Sequence, residues 1–387
     1  MGSISEISFD GYSILENKNG FYNDVFNLLF NPDDYFEETR MRDQMVWENG
    51  WSESYQEYTF KGFRQTVGNC RQRLEIYGQS ISKTTENFNK IIEVVDPESY
   101  YFPIQSVTYS MYRAELKNIL DNGLSGDGSI NTDLLNTLVS GELFFPKLET
   151  SDCIYCILDS LDDNAIVEYN LTDVINGGWV DLSEIMNFEI EKIIVLTEGI
   201  TDAEFISKSL KLLNPHLFNY YHFVDFKGFK VEGGASAMVK MLKAFAASNV
   251  KHPVIGLFDN DAVGLLELSK LSNVKMPSNI RLVSLPYLEF ASNYPVKIST
   301  DHALMNINGI ACGIEMYLGS DLLSIDGSYR NVSLTIFNHP SSKYHGSLED
   351  KSVVQDLFRA KLAASDMNGM EDMSMVLKGL FNAFLQT

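Results

Sequence analysis

The rhythm of apolar and polar residues changes along the chain, and the change divides it. At the start Ile4, Ile7, Phe9 and Tyr12 stand among small or polar neighbours, which predicts a strand. Helical spacing then predicts helices over Gly62 to Tyr77, Thr84 to Val95, Gln105 to Asn122 (stopped by Gly123) and Asn131 to Leu138. Ala165 to Tyr169 reads as a strand running into LTDVINGGWVDL, where Gly177, Gly178 and Trp179 suggest a packed corner. From there on, short apolar runs alternate with helical stretches. Ile193 to Leu196 leads at once into a helix start. Tyr220 to Phe226 is followed by a turn through Gly228 and a helix over Ala235 to Ser248. Val254 to Phe258 precedes a helix over Ala262 to Leu271, and Ile280 to Leu285 is a fourth strand. The order β-α-β-α-β-α-β predicts an α/β core, a mostly parallel four-stranded sheet flanked by helices with right-handed crossovers. The expected organisation is a mainly helical α+β region over 1–190, the α/β core over 191–290 and an extension over 291–387. The first boundary is expected near Asn187 to Glu191.

Two of these strands end in acid. The run KIIVLTEGITDAEF delivers Glu198 and Asp202, and PVIGLFDNDAVG delivers Asp259 and Asp261, at the carboxyl ends where an open α/β sheet places its ligand crevice. Like charges about 4 Å apart repel by roughly 4 kcal/mol at an effective dielectric near 20, so such a cluster takes up protons or a cation. With only oxygen donors it selects a hard ion, Mg²⁺ or Mn²⁺. Structural readings compete. Thr201 to Glu204 also fits a capping box with Thr201 as the N-cap, in which Asp202 favours the helix dipole. The run Asp259-Asn260-Asp261 also fits a turn.

The spacing of these blocks resembles the Toprim domain of topoisomerases, primases and OLD-type nucleases: Glu198-Gly199 with Asp202, then Asp259-Asn260-Asp261 with Gly264 after a further βα unit. Two later segments, GIACGIEMYLGSDLL with Glu315 ahead of a hydrophobic helix and KYHGSLEDKSVVQDLFRAKL with Lys351 at a helix start, resemble the additions of OLD-type enzymes. That resemblance implies a nuclease. Glu198, Asp259, Asp261 and Lys351 would be catalytic, Glu198, Asp259 and Asp261 would hold one metal ion, Asp202 and Glu315 a second, and Lys351 would sit by the scissile phosphate. Met1 to Asn19 is similar to the opening of bacterial HEPN/Toprim-associated proteins, which implies a cytoplasmic role in antiviral defence. No Arg is followed by His at the Arg-x4-6-His spacing of HEPN ribonucleases, so the N-terminal region is expected to be a scaffold or sensor. Walker A, zinc-ribbon and strand-passage signatures are absent, and any ATPase would be another chain. Two rival readings remain: an inactive Toprim scaffold docking a protein, and a primase-like nucleotidyl transferase.

Charge sharpens the division. Residues 1–190 hold 32 acidic and 12 basic side chains, a net of −20, and residues 191–387 hold 20 and 18, a net of −2. Nucleic acid is therefore expected on the second half, with Lys227 and Lys230 in the loop FKGFKVEGG as phosphate contacts, and a basic protein partner, ATPase or sensor, on the first. The oligomeric state is left open, a homodimer included. Cys153-x-x-Cys156 lacks a second pair or a nearby His and reads as buried thiols in a reducing compartment. No run of 18 apolar residues marks a membrane span.

Overall fold

The computed structural model describes residues 2–21, 23–47, 51–96, 104–122, 132–187, 190–225, 228, 233–338 and 343–385. The chain divides into two compact units, Met1–Ile190 and Glu191–Thr387. Among the described residues no helix is long and apolar enough to cross a membrane.

The first unit runs β1 (Ile4–Phe9), β2 (Tyr12–Lys18), α1 (Asn23–Leu29), β3 (Tyr35–Trp47), β4 (Trp51–Thr66), α2 (Val67–Glu75), α3 (Ile81–Val94), α4 (Tyr109–Asn122), α5 (Thr132–Ser140), α6 (Thr150–Asp159), β5 (Ile166–Asn170), α7 (Thr172–Asn176) and α8 (Leu182–Met186). Its strands form one antiparallel sheet in the order β2-β1-β5-β4-β3. The opening alternation makes two strands rather than one. Asp10 and Gly11 both take positive φ, and the chain turns back so that Phe9 faces Tyr12.

The span Gly62 to Tyr77 is likewise not a single helix. Its first five residues complete β4, and the helix begins at Val67, where the Thr66 hydroxyl accepts from the amide of Asn69. Aromatic and Thr residues favour a strand here. The strand also needs its glycine: a Cβ on Gly62 would stand 2.1 Å from the carbonyl of Tyr169 on β5. Phe26, Phe30, Phe63 and Tyr169 pack ring against ring behind this sheet. Cys153 and Cys156 are free and buried on α6, with both thiols pushed up to about 12 by burial.

The second unit runs β6 (Ile193–Leu196), α9 (Ile200–Leu213), α10 (Pro215–Phe218), β7 (Tyr221–Phe223), α11 (Ala235–Ala247), β8 (Val254–Phe258), β9 (Asn260–Asp261), α12 (Ala262–Ser269), β10 (Ile280–Ser284), β11 (Tyr294–Ile298), β12 (Asp301–Met305), β13 (Ala311–Cys312), α13 (Ser320–Leu323), β14 (Ser324–Ile325), β15 (Ser328–Tyr329), β16 (Val332–Asn338), β17 (Lys343–Leu348), α14 (Lys351–Ala363) and α15 (Glu371–Phe381). Four strands pair in parallel in the order β10-β8-β6-β7. Every residue of β8 is buried, as an inner strand covered on both faces requires. A second sheet, β12-β11-β16-β17, is mixed. Its edge strand β12 is mostly exposed and carries little apolar signal.

Two expectations about local structure change. The helix after Glu198 starts at Ile200 with Gly199 as its N-cap, so Thr201 lies inside it and Asp202, not Glu204, is the acid that reaches back to the cap. Glu315 does not stand ahead of a hydrophobic helix. It lies in a 3-10 turn, Ile314–Tyr317, and the helix that follows is the single turn α13.

Candidate active site

The buried apolar faces of β6 and β8 set the two acidic blocks side by side. At the end of β6 the Thr197 hydroxyl donates to the carbonyl of Gly199 (2.9 Å) and the chain turns into α9. The Glu198 side chain crosses to the neighbouring strand end, where its Oε1 accepts from the amide of Asp259 (2.9 Å). Asp202 accepts from the amide of Gly199 (2.6 Å), and Asp261 accepts from the amides of Val263 (2.9 Å) and Gly264 (2.6 Å) at the start of α12. Both of these aspartates thus do the capping work of their helices. A Cβ on Gly264 would come within 2.6 Å of Glu198 Oε1 and of the Asp259 carbonyl, so only glycine lets the strand, the turn and Glu198 approach this closely.

The C-terminal part of the unit reaches the same place by pairing. Ala311 and Cys312 of β13 pair with Asp261 and Asn260 of β9, and the Asn260 side chain accepts from the amide of Gly309 (2.9 Å). The chain then presents Glu315, which is buried and accepts from Gln355 (2.7 Å) while Lys351 Nζ stands 3.0 Å away. One glycine measures how close this brings it: a Cβ on Gly313 would lie 3.3 Å from Glu315 Oε2 and 3.5 Å from Asp259 Oδ2.

The acids act on one another strongly. Burial pushes Glu198 up to about 7, helped by the charges of Asp261, Asp202 and Glu267 against the amide of Asp259. Burial likewise pushes Asp202 up to about 7; Glu315 adds to this, and the Gly199 amide and Lys351 oppose it. Asp259 is held well above the carboxylate range by burial, then by Asp202, Glu198, Asp261 and Glu315. For Lys351 burial works downward, but Glu315, Asp202 and Asp259 outweigh it and raise the ammonium above its ordinary value. Even so, no group of three acids, His or Cys among the described residues stands ready-made to hold a metal ion. Amide hydrogen bonds direct one oxygen each of Glu198, Asp202 and Asp261, and a cation needs the carboxylates to turn. The electrostatic convergence weighs more here, because carboxylate rotamers turn readily while the strand ends that carry them are fixed by pairing. An all-oxygen donor set of this kind suits a hard divalent ion.

Residues 1–192 match the family model for HEPN/Toprim N-terminal domain 1. The first half of the chain thus carries a HEPN/Toprim association. No curated protein and no solved structure matches.

Glu204 is apart from the acidic centre: it pairs with Lys208 (2.8 Å) and Arg359 (3.0 Å). Lys227 and Lys230 lie outside the described residues. Two contributors, Gln355 and Gly313, escape a reading by motif, and the parts of Asn260 and Gly264 show only in the fold. Gln355 carries no charge, and its only signal is its place four residues after Lys351, on the same helix face. Gly264 and Gly313 act through the side chain they lack, and Asn260 acts as a clasp on residues 308 and 309.

Proposed function

We propose that the second unit is a metal-dependent phosphodiesterase of the Toprim type, related to OLD-type nucleases, that cuts DNA or RNA, tRNA included, in bacterial defence against phage. The observation that carries this reading is the meeting of Glu198, Asp202, Asp259, Asp261 and Glu315 in one largely buried electrostatic field beside Lys351. Glu198, Asp259 and Asp261 would hold one Mg²⁺ or Mn²⁺ ion, and Asp202 with Glu315 a second. Such ions supply Lewis acidity toward phosphate oxygens and a more acidic bound water.

The chain's own groups do the rest. Lys351, kept protonated by the acids around it, holds a non-bridging phosphate oxygen and stabilises charge that grows there in the transition state. Gln355 orients Glu315 when Lys351 turns to the substrate. The amides of Gly199, Asp259, Val263 and Gly264 each donate to one carboxylate oxygen, and the carboxylates turn from these bonds when an ion enters. The acidic first half, at a net of −20, repels phosphate and serves as sensor or dock for a basic partner, an ATPase among the candidates, in the cytoplasm.

Purified chain incubated with labelled DNA, plasmid and total tRNA in Mg²⁺ or Mn²⁺ should cut at least one of them. Asp259→Ala should abolish the cut, and Lys351→Ala should slow it by about 10²-fold, the scale of losing one transition-state donor. Calorimetry that finds no Mg²⁺ or Mn²⁺ binding lost on Asp259→Ala would sink the reading. It would favour the second one, an inactive scaffold that docks a protein partner.

A further inference from the structure

Two helices of the second unit begin at the acidic centre. Asp202 lies in the first turn of α9, and Lys351 opens α14. They pack on each other where Phe205 meets Phe358 edge to face, ring centroids 5.0 Å apart, and where Arg359 reaches Glu204. Contacts advance in step along both helices, from residues 204 and 205 against 358 and 359 to 208–212 beside 362–365, so the helices run away from the centre in the same sense.

Between their later turns lies a groove of about 440 Å³, lined by Lys208, Lys211, Leu212, Arg359, Leu362, Ala363 and Ser365. Its charged lining is entirely cationic. Glu204 is shared by Lys208 and Arg359, and Asp356 pairs with Arg359. Lys211 has no carboxylate partner among the described residues and rests over the ring of Phe218, 5.4 Å from its centroid. The unit that holds the groove is near neutral, at a net of −2, so this lining is a local concentration of its cations. Leu212 and Leu362 add apolar surface against which a sugar or base can pack.

We infer that this groove binds the backbone of the nucleic-acid strand whose scissile phosphate lies at the acidic centre. At a rise of 1.5 Å per residue, Arg359 lies about 12 Å along its helix from Lys351, and Lys211 about 13 Å from Asp202. That distance is about three to four nucleotides at 3.4 Å per nucleotide of a duplex strand. The groove therefore holds phosphates beyond the reacting one, and the substrate is a strand several nucleotides long rather than a mononucleotide or dinucleotide. This rests on the reading of the centre as a phosphodiesterase, and the test keeps the two apart.

Fluorescein-labelled DNA and RNA strands of about 12 nucleotides, and a labelled dinucleotide, are titrated with the full chain and with K208Q/K211Q, in Ca²⁺, at several salt concentrations. The double variant should bind the long strand about 10-fold more weakly, and the slope of log affinity against log salt should shrink by about 1.4, the share of two phosphate contacts on a single strand. The dinucleotide should bind too weakly to register the change. Equal affinity and equal slope for the two proteins overturn the groove, as does failure of the intact chain to bind either long strand. Cleavage by the intact chain in Mg²⁺ is scored separately. Absent cleavage with the groove-dependent slope intact would remove the nuclease and leave the strand site standing.

Discussion

Gly264 shows how much a missing atom can decide. It opens α12, where alanine would ordinarily gain up to about 1 kcal/mol of helix propensity. Here the added methyl group meets the backbone carbonyl of Asp259 at 2.6 Å, which lies between the paired residues Phe258 and Asn260, as well as Glu198. Gly264→Ala should therefore lower stability by about 1–3 kcal/mol, the usual cost of overpacking, read from the denaturant midpoint. The carboxylates set a second expectation at this scale. With folded values near 7 for Glu198 and Asp202, above their ordinary 4.5 and 3.8, the folded chain binds protons more tightly than the unfolded one. Their contribution to stability is then complete below about pH 4 and is lost as pH rises through 7. In chelator, the melting temperature should fall between pH 5 and pH 8, and Asp259→Asn should flatten that fall. An equally steep fall in the variant would show that the coupling is not where the geometry puts it.

Elements were legible in proportion to how strongly burial marked them. Ile193–Leu196 and Val254–Phe258 are short apolar runs because both faces of the parallel sheet are covered, and the sequence pattern marks their ends correctly. The acids after them could be singled out because carboxylates at strand ends are out of place without a partner. By contrast β12 is exposed and β4 mixes aromatic, charged and Thr residues, so periodicity alone announces neither. Glu315 could be named from a motif, but its 3-10 turn could not, since β9-β13 pairing holds it rather than local propensity. One junction in the first unit lends itself to measurement. Arg73 on α2 is fully buried; it donates to the carbonyl of Leu29 (2.7 Å) and pairs with Asp34, in the 3-10 turn that follows α1. Asp34→Ala strips a buried guanidinium of its carboxylate and should cost about 3 kcal/mol or more in urea unfolding.

At the scale of the whole molecule, each unit closes its own core, and the acidic centre draws every one of its groups from the second. Residues 191–387 expressed alone should fold, melt cooperatively and keep the Asp259-dependent response to pH. If this piece is aggregated or loses that response, the first unit is part of the site's support.

The pairing of β9 with β13 also has a bearing on how the chain is made. Asp261 waits for Ala311, Glu315 waits for that pairing, and Lys351 and Gln355 arrive later still. A chain emerging from the ribosome therefore carries Glu198, Asp259 and Asp261 for the time it takes to add roughly another hundred residues, or on the order of 5–20 s, before the centre can close. Nascent and prematurely truncated products have the acids but not the assembly. The order of synthesis thus makes the closing of this centre one of the last events in the folding of the second unit.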